Sequence, residues 1–415
     1  MMTTVIQNVS LVFGQELEVI RSGYIEIDEG AIISAGEGSP SDSSQEARTL
    51  LNGHGLLAIP GLIDAHTHLA DSILKDIGIG SSLETLVHPI SGLKSKLLDE
   101  VAESEVCNAI AMTVRDMLAS GITTFADFRE GGLAGVQLAH NALQGTKSRA
   151  LILGRPNYAF NQCEVINESG LLSNETMRDL LETIDICSGL GVSGANEYTN
   201  NAMKQMSDLA KKQNKLLGVH ASESADSVRF SLENFSASEV ERVLRHLKPN
   251  FLVHLTNATT EDIEKVSANH IPVVCCPRAN SILGLGFPPL LELLEANVTV
   301  ALGTDNVMLA PPDMFREMDY TSRMLRANRR DAGAISSKDV LKMATVNAAS
   351  VLALDSKVGS IEEEKRADIA FLDLNSANLR FSKNLIASLV HRARPEDIKC
   401  VMVDGEIVHG SIPSA

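Results

Sequence analysis

The sequence predicts an α/β protein, a (β/α)8 barrel of the TIM type with a small β-sandwich built from the two ends of the chain. Three observations predict it. The 415 residues, 44% of them apolar and 21% charged, exceed one ordinary domain and supply a large core. The middle of the chain alternates short β-rich apolar segments with helical stretches, the pattern of parallel α/β proteins. Both ends instead alternate apolar and polar residues one by one, as sheets with a single buried face do. The expected boundaries are 1–58 and 356–415 for the sandwich and 59–355 for the barrel.

At the N-terminal end, residues 4–9, 22–30 and 31–36 read as strands, and at the C-terminal end 367–374 and 401–408 do. Isolated hairpins are marginally stable, so the two sets are expected to pair with each other. Barrel strands are expected at 63–66, 123–127, 150–154, 192–195, 216–220, 251–254, 272–276 and 299–305. Helix signals stand between them: Thr259-Thr260-Glu261-Asp262 has capping-box spacing, and Pro311-Pro312 precede a helical run at 313–318. Active sites of such barrels lie at the carboxyl ends of the strands.

Composition excludes several functions. Asp and Glu outnumber Lys and Arg 53 to 36, the net charge is −17, and no basic cluster exceeds Arg329-Arg330. A nucleic-acid backbone would be repelled, and no Trp with only four Tyr leaves little for base stacking. No run of ~18 apolar residues occurs, and the start at Met1 lacks a basic segment followed by an apolar one. The expectation is a cytoplasmic enzyme that meets neither nucleic acid nor membrane. Cys107, Cys163, Cys187, Cys275, Cys276 and Cys400 form no CxxC pair, which argues against a zinc ribbon or a disulfide framework and for buried thiols.

The strongest local signal is Pro60-Gly61-Leu62-Ile63-Asp64-Ala65-His66-Thr67-His68. Strand side chains alternate faces, so His66 and His68 point the same way and can share one ion. Alone, such a pair is equally well two polar residues at a strand end. Three more strand ends carry chemistry, however: His220 after Leu216-Leu217-Gly218-Val219, His254 after Phe251-Leu252-Val253, and Asp305 after Leu302-Gly303-Thr304. Imidazoles and a carboxylate brought to neighbouring strand ends suit a borderline divalent ion such as Zn²⁺, with Fe²⁺ or Mn²⁺ accommodated by the same ligand types.

With these motifs, and with His220-Ala221-Ser222-Glu223, Leu252-Val253-His254-Leu255, Cys276-Pro277-Arg278-Ala279-Asn280, Leu302-Gly303-Thr304-Asp305-Asn306 and Val403-Asp404-Gly405, the chain resembles the amidohydrolase superfamily over nearly its whole length. The resemblance is to the branch of cytosine and S-adenosylhomocysteine deaminases and chlorohydrolases. It implies that His66, His68, His220 and Asp305 bind metal and that His254 contacts the water or substrate. It also implies a homodimer. Binuclear members usually carry a bridging Lys at the end of strand 4; here that end reads Gly194-Ala195-Asn196-Glu197, so one ion is expected, with Glu197 as the residue a few relatives use for bridging.

Glu223, three residues after His220, is placed to serve as a general acid and base beside the ion without binding it, an arrangement that resembles the deaminase branch. Arg129 and Arg278 are expected to hold a carboxylate or phosphate of the substrate, and Asp71 and Glu197 to line the pocket. The expected reaction is hydrolysis of a non-peptide carbon–nitrogen bond of a small molecule. Deamination of an amino-substituted heterocycle is the leading form, by hydroxide from the ion's water, with Asp305, His254 and Glu223 as catalytic residues. Ring opening of a cyclic amide and hydrolytic dechlorination are its enzymatic rivals, and a silent metal-binding scaffold the non-enzymatic one. Two departures from the family stand out: no Gly precedes Lys365-Arg366, and the loop at 69–98 lacks the acidic and aromatic pattern with which better-known deaminases grip nucleosides.

Overall fold

The computed structural model describes residues 3–40, 48–87 and 92–415; the readings above that touch Met1 and part of the 69–98 loop, at 88–91, lie outside the described residues. The N-terminal strands are β1 (Thr3–Phe13), β2 (Glu18–Asp28), β3 (Ala31–Glu37), β4 (Arg48–Asn52) and β5 (Leu56–Pro60). The parallel strands follow as β6 (Leu62–His68), β7 (Ile122–Arg129), β8 (Arg149–Gly154), β9 (Gly189–Val192), β10 (Leu216–Ala221), β11 (Phe251–His254), β12 (Val273–Cys275), β13 (Val300–Leu302) and β14 (Asp305–Asn306). The last three are β15 (Ile369–Asp373), β16 (Ile398–Val403) and β17 (Glu406–Gly410).

Both chain ends join one mixed sheet in the order β17-β16-β15-β5-β1-β2-β3, with β4 beside β1. The junction between the ends is β5 against β15, antiparallel from Ile369↔Pro60 to Asp373↔Leu56. The sheet encloses its own core, in which Ile6, Ile25 and Ile32 from one end meet Ile369, Phe371 and Met402 from the other. Where relatives commonly carry Gly before the basic residue stands Glu364, which takes φ 70, the left-handed region that Gly favours.

The parallel sheet runs β13-β12-β11-β10-β9-β8-β7-β6-β14. Since β14 follows β13 after Gly303-Thr304 and pairs with β6 through Asp305↔Thr67 and Asn306↔His68, the two are halves of one eighth strand and the ring closes. The break has a cause. A Cβ on Gly303 would come within 2.7 Å of the His66 Cβ, so strand eight passes His66 only with glycine at that point. Asp64 then pins the break: its carboxylate accepts hydrogen bonds from the Thr304 backbone N–H at 2.9 Å and from the Thr304 hydroxyl.

One expected strand is displaced. The fourth lies at Gly189–Val192 instead of 192–195, because its glycines are packing requirements: a Cβ on Gly191 would meet Phe128 Cδ1 at 2.6 Å, and one on Gly189 would meet the Leu216 carbonyl oxygen at 2.3 Å. Ile63, Ala65, Ala126, Phe128, Phe251, Val253 and Val274 form the inner cluster, while Leu62, Phe125, Ile152, Leu190, Val219 and Leu252 pack with the helices outside. No helix among the described residues is long and apolar enough to cross a membrane.

Candidate metal centre and active site

The register of β6 against β7 slips between Asp64 and Thr67. Without the slip, strict alternation would set His66 and His68 on the face opposite to Ile63 and Ala65, which belong to the inner cluster. Beyond it both histidines meet those of strands five and six. The His66 ring lies 4.9 Å from His68, 4.8 Å from His220 and 5.7 Å from His254, centroid to centroid. Phe128 is the floor beneath them, with its ring 4.4 Å from His66 and 5.2 Å from His220. The two triplets whose ligand atoms lie within 4.8 Å of one another are His66, His68, His220 and His66, His254, Asp305.

Hydrogen bonds to the far ring nitrogens decide what each histidine offers. His68 Nδ1 lies 3.0 Å from the Phe128 carbonyl oxygen and His220 Nδ1 3.0 Å from that of Val192. A carbonyl only accepts, so both Nδ1 atoms carry a proton, and on a neutral ring Nε2 presents a bare lone pair. Burial keeps His220 neutral. For His68, burial and Lys94 lower the imidazole and Glu130 and Asp305 outweigh them, raising it above its ordinary value until a cation takes up Nε2. His254 is opposite in sense. Its Nδ1 lies 3.2 Å from the Asn280 amide nitrogen, a donor, so the neutral ring carries its proton on Nε2, which lies 3.7 Å from Glu223 Oε1.

The charge states fit a cation. Burial pushes His66 down to about 3 and His254 to about 4, and it drives His220 well below the usual imidazole range, so these rings are neutral. For Asp305, burial opposes the charge, but His66, His254 and His68 hold it well below the usual carboxylate range. Asp305 Oδ1 thus stands 3.3 Å from His66 Nε2 and 3.5 Å from His68 Nε2. Neither ring nitrogen of the fully buried His66 has a hydrogen bond. Imidazole nitrogens and a carboxylate oxygen converge on one point with hydrogen-bonding capacity unused on the buried His66 ring, so the residues present fit a divalent ion. Asp305 has φ 62 and His254 φ 77, backbone strain of the kind that collects at functional sites.

Glu223 follows the end of β10 through Ser222, at φ 48. The turn is clamped by Glu239, which accepts from the Ser222 N–H at 2.9 Å, and by the Asn257 amide, which donates to the Glu223 carbonyl at 2.8 Å. Burial, then Asp305, Glu239 and Glu197, push the Glu223 carboxyl well above its ordinary value. Burial likewise raises Glu197 to about 7, with Ser193 hydrogen-bonded to it.

The remaining expected substrate contacts have partners inside the protein. Arg129 donates through Nε to the Gly135 carbonyl at 3.1 Å and reaches Glu130 at 3.5 Å. Arg278 donates to the Pro311 carbonyl at 3.3 Å and stands 3.5 Å from the buried Glu317. Asp71 is fully buried 2.9 Å from the Lys94 ammonium. Sequence reasoning missed Lys94 and Glu239, which had no sequence signal; Asn280 stood only as the last residue of the quoted Cys276-Pro277 motif, and Glu130 only as the last of the Asp127-Phe128-Arg129-Glu130 stretch read as facing the substrate. Arg155, directly after β8, was also missed; its half-buried guanidinium has no hydrogen bond or close ion pair among the described residues, although it faces Glu130 and Glu197.

Comparison with known proteins gives the family and the fold. The model of the amidohydrolase family matches residues 57–408. An uncharacterized protein of Methanocaldococcus jannaschii is 36% identical over 393 residues, 93% of this chain and 94% of its own. A 5-methylthioadenosine/S-adenosylhomocysteine deaminase of Caldanaerobacter subterraneus is 28% identical over 423 residues, 98% of this chain and 93% of its own. Among solved structures, a zinc-bound adenosine deaminase from Xanthomonas campestris superposes with a TM-score of 0.83 at 20% identity, covering 97% of this chain and 92% of its own, and so shares the fold.

Proposed function

Because the chain belongs to the amidohydrolase family, we propose that it deaminates an amino-substituted heterocycle, with one divalent ion, zinc, held by His66, His68, His220 and Asp305. The observation that carries this reading is the opposite proton placement on the histidines: Nε2 is bare on His68 and His220 and protonated on His254. The first two can be ligands, whereas His254 can only donate. When bound, the ion acidifies a water molecule so that hydroxide is available near neutral pH.

The chain's own residues do the rest. Asp305, kept ionised by its histidines, accepts the proton of the attacking water. His254 Nε2–H donates to the negative charge that attack on the ring carbon leaves on the heteroatoms bonded to it. Glu223, whose carboxyl is pushed well above its ordinary value by burial and by Asp305, Glu239 and Glu197, delivers a proton to the departing amine. An amine leaving group needs that proton and chloride does not, which favours deamination over dechlorination. A substrate carboxylate or phosphate would call on Arg129 or Arg278, each of which also has partners inside the protein.

The test is a screen of aminated heterocycles, cyclic amides and chlorinated triazines with product analysis. Ammonium release is expected, and Glu223→Gln should keep the ion while lowering turnover by about 100-fold or more. Turnover that adds water without releasing ammonium would defeat the deaminase reading while leaving the metal site intact.

A further inference from the structure

Next to the metal ligands lies an ion chain that the reaction above does not use. The short helix Leu93–Glu100, in the segment after β6, carries Lys94, whose side chain is 6% exposed. Its ammonium lies 2.9 Å from Asp71 Oδ2 and 2.5 Å from Glu130 Oε1. Glu130 follows β7 directly, and its Oε1 stands 3.4 Å from His68 Nδ1, the nitrogen that carries the His68 proton. Arg129 reaches the other Glu130 oxygen at 3.5 Å.

A buried lysine between two carboxylates is expensive to assemble and common only where the charges are needed in place. The Lys94 ammonium bridges Asp71 and Glu130, and the Glu130 oxygen that it holds is the one that stands against the His68 N–H. A carboxylate there supports the Phe128 carbonyl in fixing the ring and makes Nε2 a stronger donor to a cation.

The same segment is seated apolarly. Leu74, Leu86, Met308 and Leu309 form a small cluster with Leu93, Leu97 and Leu283 beside them, joining the segments after strands one, seven and eight. Lys94 reaches from this layer to Glu130.

We propose that Lys94 is a positioning residue that holds Glu130 on His68, so that the segment after strand one and the metal-ligand face are built as one unit. The proposal rests on His68 being a metal ligand, as argued above. It is tested by stripping the full-length protein of metal and titrating Zn²⁺ back against a chromophoric chelator, for the wild type, Lys94→Met, Lys94→Arg, Glu130→Gln, the double variant Lys94→Met/Glu130→Gln, and His68→Ala as reference.

Lys94→Met and Glu130→Gln are each expected to weaken zinc binding by about 10- to 100-fold. The double variant should be no more than about threefold weaker than the worse single one, because Lys94 acts only through Glu130. Lys94→Arg, which restores the charge, should recover most of the loss. Wild-type zinc affinity in Lys94→Met, with only its thermal stability reduced, would overturn the proposal and leave Lys94 a packing residue. If Lys94→Met does not fold, Glu130→Gln decides alone, and wild-type affinity in it overturns the proposal. Should His68→Ala itself bind zinc like the wild type, the ligand assignment has failed; should His68→Ala lose zinc while the Lys94 and Glu130 variants keep it, only this proposal has.

Discussion

Asn280 separates two kinds of histidine in one cluster. Four imidazoles crowd together within 6 Å of the His66 ring or on it, and sequence alone ranks them only by family likeness. The hydrogen bond at Nδ1 is what differs, and for His254 the partner is a buried amide with its nitrogen toward the ring. Asn280→Asp would replace that donor by a carboxylate, which accepts from Nδ1–H and leaves Nε2 without its proton. The expected outcome is full zinc content, by elemental analysis, with turnover lowered by about 100-fold. A variant that turns over within threefold of the wild type would show that the His254 proton is not needed where we place it. At this scale the sequence was informative about residue types and silent about partners: His66, His68, His220, His254 and Asp305 stand at strand ends that periodicity locates, whereas Lys94 and Glu239 come from two short helices that only the three-dimensional chain brings to them.

At the scale of elements, the strands whose signal is β-branched and apolar are legible and those built on glycine are not. Residues 251–254 and 150–154 end where the sequence places them, and β9 does not, since Gly189-Leu190-Gly191-Val192 carries two residues that weaken a strand pattern. The slip in β6 is illegible for a different reason. Strict alternation already aligns His66 with His68, so nothing in the sequence announces that Ile63 and Ala65 also face inward. The glycines of β9 give a direct test of why the pattern failed. Gly191→Ala adds a Cβ 2.6 Å from Phe128 Cδ1, and Phe128 is the floor of the histidine cluster. Overpacking of that kind costs about 1–3 kcal/mol. Urea denaturation should show a midpoint lowered accordingly, and an unchanged midpoint would mean that Phe128 moves aside freely and is not the fixed floor we describe.

The whole molecule concentrates buried acids around the ring closure, and their protonation links its stability to pH. Burial raises Asp64 to about 7 and Glu197 to about 7, and Glu317 to about 8 with Arg278 pulling the other way. Glu317 is fully buried, on the helix Met314–Arg329 that follows strand eight, and accepts from the Arg278 N–H at 3.0 Å. In the unfolded chain the same groups titrate near their ordinary values of about 4. Between roughly pH 4 and pH 8 the folded state therefore binds more protons than the unfolded one, and stability falls as pH rises through the folded values. The contribution is fully present below the unfolded values, and each proton of difference is worth about 1.4 kcal/mol per pH unit at most. Urea denaturation at pH 6, 7 and 8 is expected to show a loss of a few kcal/mol across that range. Glu317→Gln keeps an oxygen for the Arg278 N–H and removes the titration, so its slope should be shallower by about one proton. Parallel slopes for the two proteins would mean that Glu317 is ionised when folded, with Arg278 outweighing burial, and would move the origin of the pH dependence to Asp64, the residue that pins Thr304 where the barrel closes.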